Sequence, residues 1–285
     1  MKGLIVAGGN GTRLAPLTNS ISKQLLPVYD KPLIYYPLGT LMLLGIREIH
    51  IVTTSEHSVL FKNSLGNGEQ LGIHISYGVQ SKPNGIPEAI SISSEFIGSS
   101  DFAMILGDNI FHGVGLGNAL SISSEITGAK IFGYRVVDPG RYGVMRIEGN
   151  RIIEIKEKPI EYISDIAITG LYFFENSALG FVKDLSLSNR NELEIVDLLQ
   201  KYLDIEKLSF EIFSRGTVWL DTGTPDSLLD ASNYVQIIEK RQGLKISCLE
   251  EIAWRNGWID KEQLMKIANT YRGSEYFNYL NSIQI

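Results

Sequence analysis

Short apolar runs recur along the first half of the chain, with longer mixed-period stretches between them. The runs at 3–7, 48–53, 74–77, 103–106 and 130–136 are rich in β-branched and aromatic residues and read as strands. The stretches at 33–44, 58–64, 87–96 and 116–124 space their apolar positions as helices do. Strands alternating with helices predict an α/β fold with a mostly parallel sheet covered on both faces. The middle of the chain is richer in strands, at 142–147, 152–156, 166–174, 209–213 and 218–220, with a hairpin-like turn at Glu148-Gly149-Asn150-Arg151. After Pro225 the pattern turns helical, over 226–241, 250–256 and 261–268. Thr224 before Pro225 is a helix-start signal. The expected division is an α/β domain over 1–225 and a helical extension over 226–285.

Composition narrows the function classes. The chain has 285 residues, 44% of them hydrophobic, enough for a sizeable core. The net charge of −6, without a Lys/Arg cluster, argues against nucleic acid as a partner. No apolar run approaches the about 18 residues that a membrane span needs, and the apolar start is too short for a signal peptide. One cysteine, Cys248, excludes an intramolecular disulfide and points to a reducing compartment, so a cytoplasmic location is expected.

Parallel sheets bind ligands beyond the carboxyl ends of their strands, and the candidate chemistry lies at those ends. The first strand runs into Gly8-Gly9-Asn10-Gly11-Thr12-Arg13. Glycine loops expose backbone N–H groups that suit phosphate oxygens, and Arg13 with Lys23 supplies fixed cations for a departing polyphosphate. The loop lacks the Gly-Lys-Ser/Thr of a P-loop and the third glycine of a dinucleotide fingerprint. A ligand-free strand-to-helix turn is the alternative for the glycines alone.

Asp108, after Gly107, and Asp221, before Thr222-Gly223, both end apolar strands. Two carboxylates of this kind suit Mg2+, which completes its shell with phosphate and water. A strand-end turn and a helix-start aspartate are the alternatives. In Glu154-Ile155-Lys156-Glu157-Lys158-Pro159 strict alternation puts Glu157 and Lys158 on opposite faces. An irregularity before Pro159 would bring both to the cleft, Lys158 toward a phosphate and Glu157 toward sugar hydroxyls; a solvated charged edge is the alternative. The histidines, His50, His57, His74 and His112, show no metal-ligand spacing.

Taken together, the ordered motifs GGNGTRL from Gly8, SKQLLPVYDKPLIYYPL from Ser22, LGDN ending at Asn109, RYGV from Arg141, KEKP from Lys156, TGLYFF from Thr169, NELEIVDL from Asn191 and WLDTGTPDSL from Trp219 resemble the sugar-1-phosphate nucleotidylyltransferases. The resemblance covers nearly the whole chain, and within the family it is to the members that join dTTP to glucose 1-phosphate. It implies a Rossmann-like nucleotidyltransferase fold, with the catalytic domain over 1–225, and release of pyrophosphate as dTDP-glucose forms. Gly8, Gly9, Gly11, Thr12, Arg13 and Lys23 would meet the polyphosphate, Gln80 and Gly85 the pyrimidine edge, and Asp108 and Asp221 Mg2+. Asn109, Gly143, Glu157 and the backbone near Ile168 would hold the sugar, and Lys158 its phosphate. The resemblance further implies a homotetramer with a second, regulatory nucleotide site drawn from His112, Arg215, Gly216, Glu250, Glu251, Ile252 and Arg255. His112 stands where the family often has tyrosine. The family commonly reads Gly-Leu-Ala-Gln-Ala where this chain has Gly85-Ile86-Pro87-Glu88-Ala89, so Glu88 puts a carboxylate in place of a neutral amide. Competing expectations are a relative using UTP or another sugar 1-phosphate, and a silent regulatory subunit of the same fold. The intact Arg13, Lys23, Asp108, Lys158 and Asp221 argue against silence.

Overall fold

The computed structural model describes residues 1–9, 11–82, 84–113, 116 and 126–283. Its centre is a mixed sheet in which β1 (Lys2–Ala7), β4 (Glu48–Thr53), β5 (His74–Val79) and β6 (Phe102–Leu106) run parallel in the order β5-β4-β1-β6. β11 (Ile166–Phe174) continues the sheet antiparallel to β6 and also pairs with β8 (Ala129–Arg135) and β9 (Gly143–Glu148). β10 (Arg151–Glu157) flanks β9, and β12 (Leu208–Ile212) flanks β8. A small separate ladder pairs β7 (Asn109–His112) with β13 (Val218–Asp221), and a short hairpin pairs β2 (Pro27–Val28) with β3 (Lys31–Pro32).

The period-2 alternation of the strands divides the core in two. Ile5, Ile49, Ile51, Ala103, Ile105, Leu171 and Phe173 face one layer, whereas Leu4, Val52, Phe102, Met104, Tyr172 and Phe174 face the other. Every residue of β11 is buried, as expected of a strand covered on both sides. The first layer is roofed by α1 (Tyr35–Leu43) and by α8 (Leu249–Arg255), α9 (Lys261–Thr270) and α10 (Glu275–Ser282) near the end of the chain. The second is roofed by α3 (Ile86–Ile92), α5 (Ala178–Lys183) and α6 (Ile195–Asp204). Helices α2 (Ser58–Leu65) and α4 (Ser94–Ile97) also precede α5 among the described residues, and α7 (Pro225–Gln242) precedes α8.

Most predicted elements match within two residues, with local differences. The run at 87–96 is two helices, broken at Ser93, and the helix expected over 116–124 lies outside the described residues except for Leu116. Helices α5, α6 and α10 were not anticipated. The apolar spacing of α6, with Ile195, Val196, Leu198, Leu199 and Tyr202 buried, is a legible amphipathic pattern. Strand β7 has no such local signal, because its extended form depends on pairing with β13, more than a hundred residues later. Helix α7 starts as its sequence suggests. Thr224 and Ser227 exchange side-chain-to-backbone hydrogen bonds in a capping box, with Pro225 in the first turn.

The β2–β3 turn is tied to α7 by a four-charge network. Lys31 is 4% exposed and pairs with Asp30 at 2.6 Å and with Glu239 at 3.0 Å. Lys245 pairs with the same two acids, and Glu239 also accepts the Ile246 N–H at 2.9 Å. Burial pushes the Asp30 carboxyl up, but its two lysine partners outweigh burial and hold it below the usual range. Removing one member of such a network strands its partners as uncompensated buried charge. Lys31→Met is therefore expected to lose about 3–5 kcal/mol in urea unfolding. Lys31→Met with Glu239→Gln, which restores neutrality, should lose less. Equal losses for the single and double variants would contradict the network.

Candidate active site

The carboxyl ends of β1 and β6 lie side by side, and Gly107 closes the gap by donating its N–H to the Val6 carbonyl at 2.9 Å. Each strand then delivers one polar loop to the same place. After β1, Gly11 turns the chain with φ 61°, and a 3-10 turn at Thr12–Leu14 presents Thr12 and Arg13 exposed. A second 3-10 turn, Lys23–Leu25, sets Lys23 on Asp108, with which it forms a half-buried ion pair.

Asn109 organises the floor. Its Nδ2 donates to Asp108 Oδ1 at 2.9 Å, while its Oδ1 accepts Trp219 Nε1 at 2.6 Å and the Gly170 N–H at 3.1 Å. That one amide, 3% exposed, joins β7 to β13 and to β11 at the interruption between Ile168 and Tyr172. The β7–β13 register sets Asp221 opposite Asn109, and the Thr222 hydroxyl donates to the Asp108 carbonyl at 2.9 Å. Arg13 reaches this corner as well. A Cβ on Gly223 would lie 2.7 Å from Arg13 Nη2 and 2.8 Å from Asp221 Oδ1. Arg13, Lys23, Asp108 and Asp221 thus form one cluster.

The two carboxyls differ in charge environment. Burial pushes Asp108 up, but the Lys23 ammonium and the hydrogen bonds from Lys23 and Asn109 outweigh it and hold the group below its ordinary 3.8. Burial also pushes Asp221 up, and there the Asp108 charge adds to burial and overcomes Lys23 and Arg13, leaving it above 3.8. Two carboxylates converging beside cations, one of them reluctant to ionise alone, fit a divalent cation that takes its remaining ligands from phosphate and water. Among the described residues no cluster of three or more His, Cys, Asp or Glu makes a dedicated metal cage.

Gly9 connects this cluster to a cleft of about 200 Å³. Gly8, Gly9, Gln80, Gly85, Ile86, Glu157, Lys158 and the segment around Arg190 line it. Gly85 stands at φ 107° in an isolated bridge to Leu193, whose carbonyl any Cβ there would strike. The strand end at Glu157 breaks as Lys158 takes φ 42° and donates its N–H to the Tyr142 carbonyl, so both Glu157 and Lys158 line the cleft. Gly143 pairs with Glu157, and a Cβ on Gly143 would be 3.0 Å from Glu157 Oε2 and 3.9 Å from Ile168 Cδ1. A larger groove of about 540 Å³, between β10, α6 and β12, lies away from these residues.

The family model for nucleotidyl transferases matches residues 2–237. The chain belongs to the nucleotidyl transferase family. It is 50% identical to a glucose-1-phosphate thymidylyltransferase of Neisseria meningitidis serogroup A over 98% of both chains, and 49% identical to that of Mycobacterium tuberculosis over the same share. The solved structures it resembles include a UDP-glucose pyrophosphorylase complexed with UDP-glucose, at TM-score 0.74 and 26% identity over 83% of this chain and 98% of that one. No described helix of this nucleotidyl transferase is long and apolar enough to cross a membrane.

Sequence reasoning missed one cation of this nucleotidyl transferase's cleft. Arg190 forks onto Glu194 at 2.6 and 3.1 Å and reaches Glu157 at 3.3 Å. The signal was its i,i+4 spacing to Glu194, inside the NELEIVDL region, but the bridge to Gly85 and the contact with Glu157, both distant in sequence, bring that segment to the cleft.

The residues assigned to a second site gather only in part. His112, Glu251, Ile252 and Arg255 line a groove of about 290 Å³ between β7 and α8. Arg255 Nε donates to Glu251 Oε1 at 2.7 Å, and His112 Nδ1 meets the Tyr234 hydroxyl at 2.7 Å. Glu250 turns inward instead, accepting from Tyr271 at 3.1 Å and Tyr276 at 2.7 Å. Arg215 and Gly216 are exposed beside Gly113, outside the groove lining.

The opposed shifts give a pH signature for the metal-free protein. The contribution of Asp108 is full above its unfolded value of 3.8 and is lost as pH falls through its lower folded value. That of Asp221 is full below 3.8 and is lost as pH rises through its higher folded value. Asp221→Asn, an uncharged mimic of the protonated acid, is therefore expected to raise Tm at pH 7 without divalent cation, and to change it little near pH 3. A lower Tm at pH 7, measured by calorimetry in EDTA, would contradict this.

Proposed function

We propose that the chain transfers a thymidylyl group from dTTP to glucose 1-phosphate, giving dTDP-glucose and pyrophosphate, for deoxysugar synthesis in the cytoplasm. The observation that carries the reading is the convergence of Arg13 and Lys23 on the Asp108–Asp221 pair, next to a cleft lined by two more cations, Lys158 and Arg190. That charge pattern suits two phosphate-bearing substrates meeting, with one polyphosphate leaving.

A sugar phosphate is mostly dianionic at pH 7, with a second pKa of about 6, so attack on the α-phosphorus requires no general base. It requires in-line positioning and neutralisation of charge. In this reading Lys158, with Arg190 beside it, holds the sugar phosphate against the repulsion of the triphosphate. Asn109, Gly143, Glu157 and the backbone at Ile168 orient the sugar. The loop amides at Gly8, Gly9, Gly11 and Thr12, with Arg13 and Lys23, hold the polyphosphate and stabilise pyrophosphate as it departs. Asp108 and Asp221 would hold Mg2+, which supplies charge neutralisation at the phosphates. Lys23 would then exchange part of its bond to Asp108 for phosphate oxygen.

The test is pyrophosphate release across a panel of triphosphates with glucose 1-phosphate and Mg2+. The expected result is high kcat/KM with dTTP, a modest drop with UTP, since a methyl group contributes about 1–3 kcal/mol, and poor use of ATP and GTP. Asp221→Asn should cut turnover at least about 100-fold, comparable to losing a main transition-state stabiliser. Equal kcat/KM for ATP and dTTP, or near-normal turnover of folded Asp221→Asn, would refute the assignment.

The groove at His112, Glu251, Ile252 and Arg255 is read as the regulatory site of a homotetramer, taking the nucleotide sugar that the pathway ends in. Coupling of this kind is reciprocal, so inhibitor and substrate weaken each other's binding by the same factor. Arg255→Ala is expected to raise the inhibitor concentration needed for half-inhibition at least about tenfold, the lower range of charge-assisted contacts. Inhibition as strong as in the wild type, or a monomer in equilibrium sedimentation, would count against this site.

A further inference from the structure

Glu88 is the departure from the family motif, and the structure gives it a specific contact. It sits half-buried in the first turn of α3, with both carboxylate oxygens occupied. Oε1 accepts from Asn84 Nδ2 at 2.7 Å, and Oε2 accepts from Gln80 Nε2 at 2.6 Å. The same Gln80 nitrogen donates to the Gly85 carbonyl at 3.1 Å. Gln80 is itself only 3% exposed, and its backbone N–H is tied to the Thr53 carbonyl at the end of β4.

A side-chain amide can ordinarily rotate by half a turn and exchange its donor for its acceptor. At Gln80 that rotation would set Oε1 against a carboxylate and a carbonyl, with no proton among the three oxygens. The carboxylate makes the penalty larger than a neutral partner would, since a glutamine at position 88 can itself turn and offer a donor. The amide nitrogen is therefore committed to the protein. What remains is Oε1, which lies beside Gly8, where a Cβ would come within 2.5 Å of it. Gly8 and Gln80 both line the cleft.

We propose that Glu88 is a positioning residue that fixes Gln80 with its acceptor toward the cleft, so that the site selects a base carrying a ring N–H donor and rejects one with a bare ring nitrogen. Thymine and uracil carry that donor at N3, whereas cytosine presents an acceptor there. Against cytosine, Gln80 Oε1 would face another acceptor and both would stay unpaired, the condition under which hydrogen-bonding sites discriminate most strongly. The inference rests on the reading of the cleft as a pyrimidine nucleoside triphosphate site. It adds that the polarity of the base-reading group is set from outside the contact with the base.

The test compares kcat/KM for dTTP and dCTP, with glucose 1-phosphate, in the wild type, Glu88→Gln and Glu88→Ala. The wild type is expected to prefer dTTP by at least about 100-fold, and both variants to lose at least about tenfold of that preference. The loss should fall mainly on KM for dTTP, with a smaller effect on kcat and none on KM for glucose 1-phosphate. A preference unchanged in both folded variants would overturn the role of Glu88 while leaving the functional reading intact. No pyrophosphate release from dTTP by the wild type would remove the functional reading and this inference together. A third arm needs no variant: N3-methyl-dTTP, which lacks the donor, should be used at least about tenfold less well than dTTP by the wild type. Equal use of the two would overturn the proposal.

Discussion

The Asn109 side chain is the constraint on which the site depends. Its oxygen accepts the Trp219 indole N–H and the Gly170 N–H, and its nitrogen supports Asp108. All three partners belong to different parts of the chain, and all are drawn to a point where water is nearly excluded. Each donor left without that oxygen would carry a desolvation penalty of about 1–3 kcal/mol. The amide therefore fixes three things at once: the register of β13 against β7, the interruption of β11, and the orientation of the first carboxylate. Asp221 reaches the cluster because Trp219, two residues earlier on the same strand, is held in place.

Around that floor the molecule arranges charge asymmetrically. Asp108 is already neutralised by Lys23, whereas Asp221 is crowded by Asp108 and stays reluctant to ionise. Added positive charge would relax such a pair, which is the electrostatic condition that suits a divalent cation. On the far side, Glu157 holds Lys158 at 3.4 Å and Arg190 at 3.3 Å. These exposed pairs are weak and salt-screened, so both cations can turn to an incoming phosphate at little cost.

The segments after Pro225 are part of the same packing. Leu249, Ile252, Ala253, Leu264 and Leu280 share one hydrophobic layer with Ile5, Ile51 and Ile105 of the central strands. The buried network of Asp30, Lys31, Glu239 and Lys245 joins α7 and the segment after it to the turn that follows the Lys23 loop. Glu251 and Arg255 stand on α8, which packs against α1, and β7 runs from Asn109 in the candidate active site to His112 in the second groove.

By itself the sequence determined the α/β alternation, the strand-end positions of Gly8, Asp108 and Asp221, and the start of α7. These follow from local rules: a period of two or of 3.6, a glycine where the chain must turn, a Thr-Pro pair where a helix begins. The ordered motifs added the family, since long matches in order carry more than any one residue does. Tertiary structure decided what local rules cannot reach. β7 is a strand because β13 pairs with it, and Arg190 faces the cleft because Leu193 bridges to Gly85 and Glu157 holds its guanidinium. Glu250 meets Tyr271, just past α9, and Tyr276 of α10, whereas the adjacent Glu251 meets Tyr279 of α10 and Arg255 at the groove, because a helix sends adjacent residues about 100° apart. Gln80 became an acceptor toward the cleft because Glu88 and the Gly85 carbonyl claim its nitrogen, a matter of which atoms meet in space. Pattern along a chain sets which face a residue takes; only packing sets what it meets there.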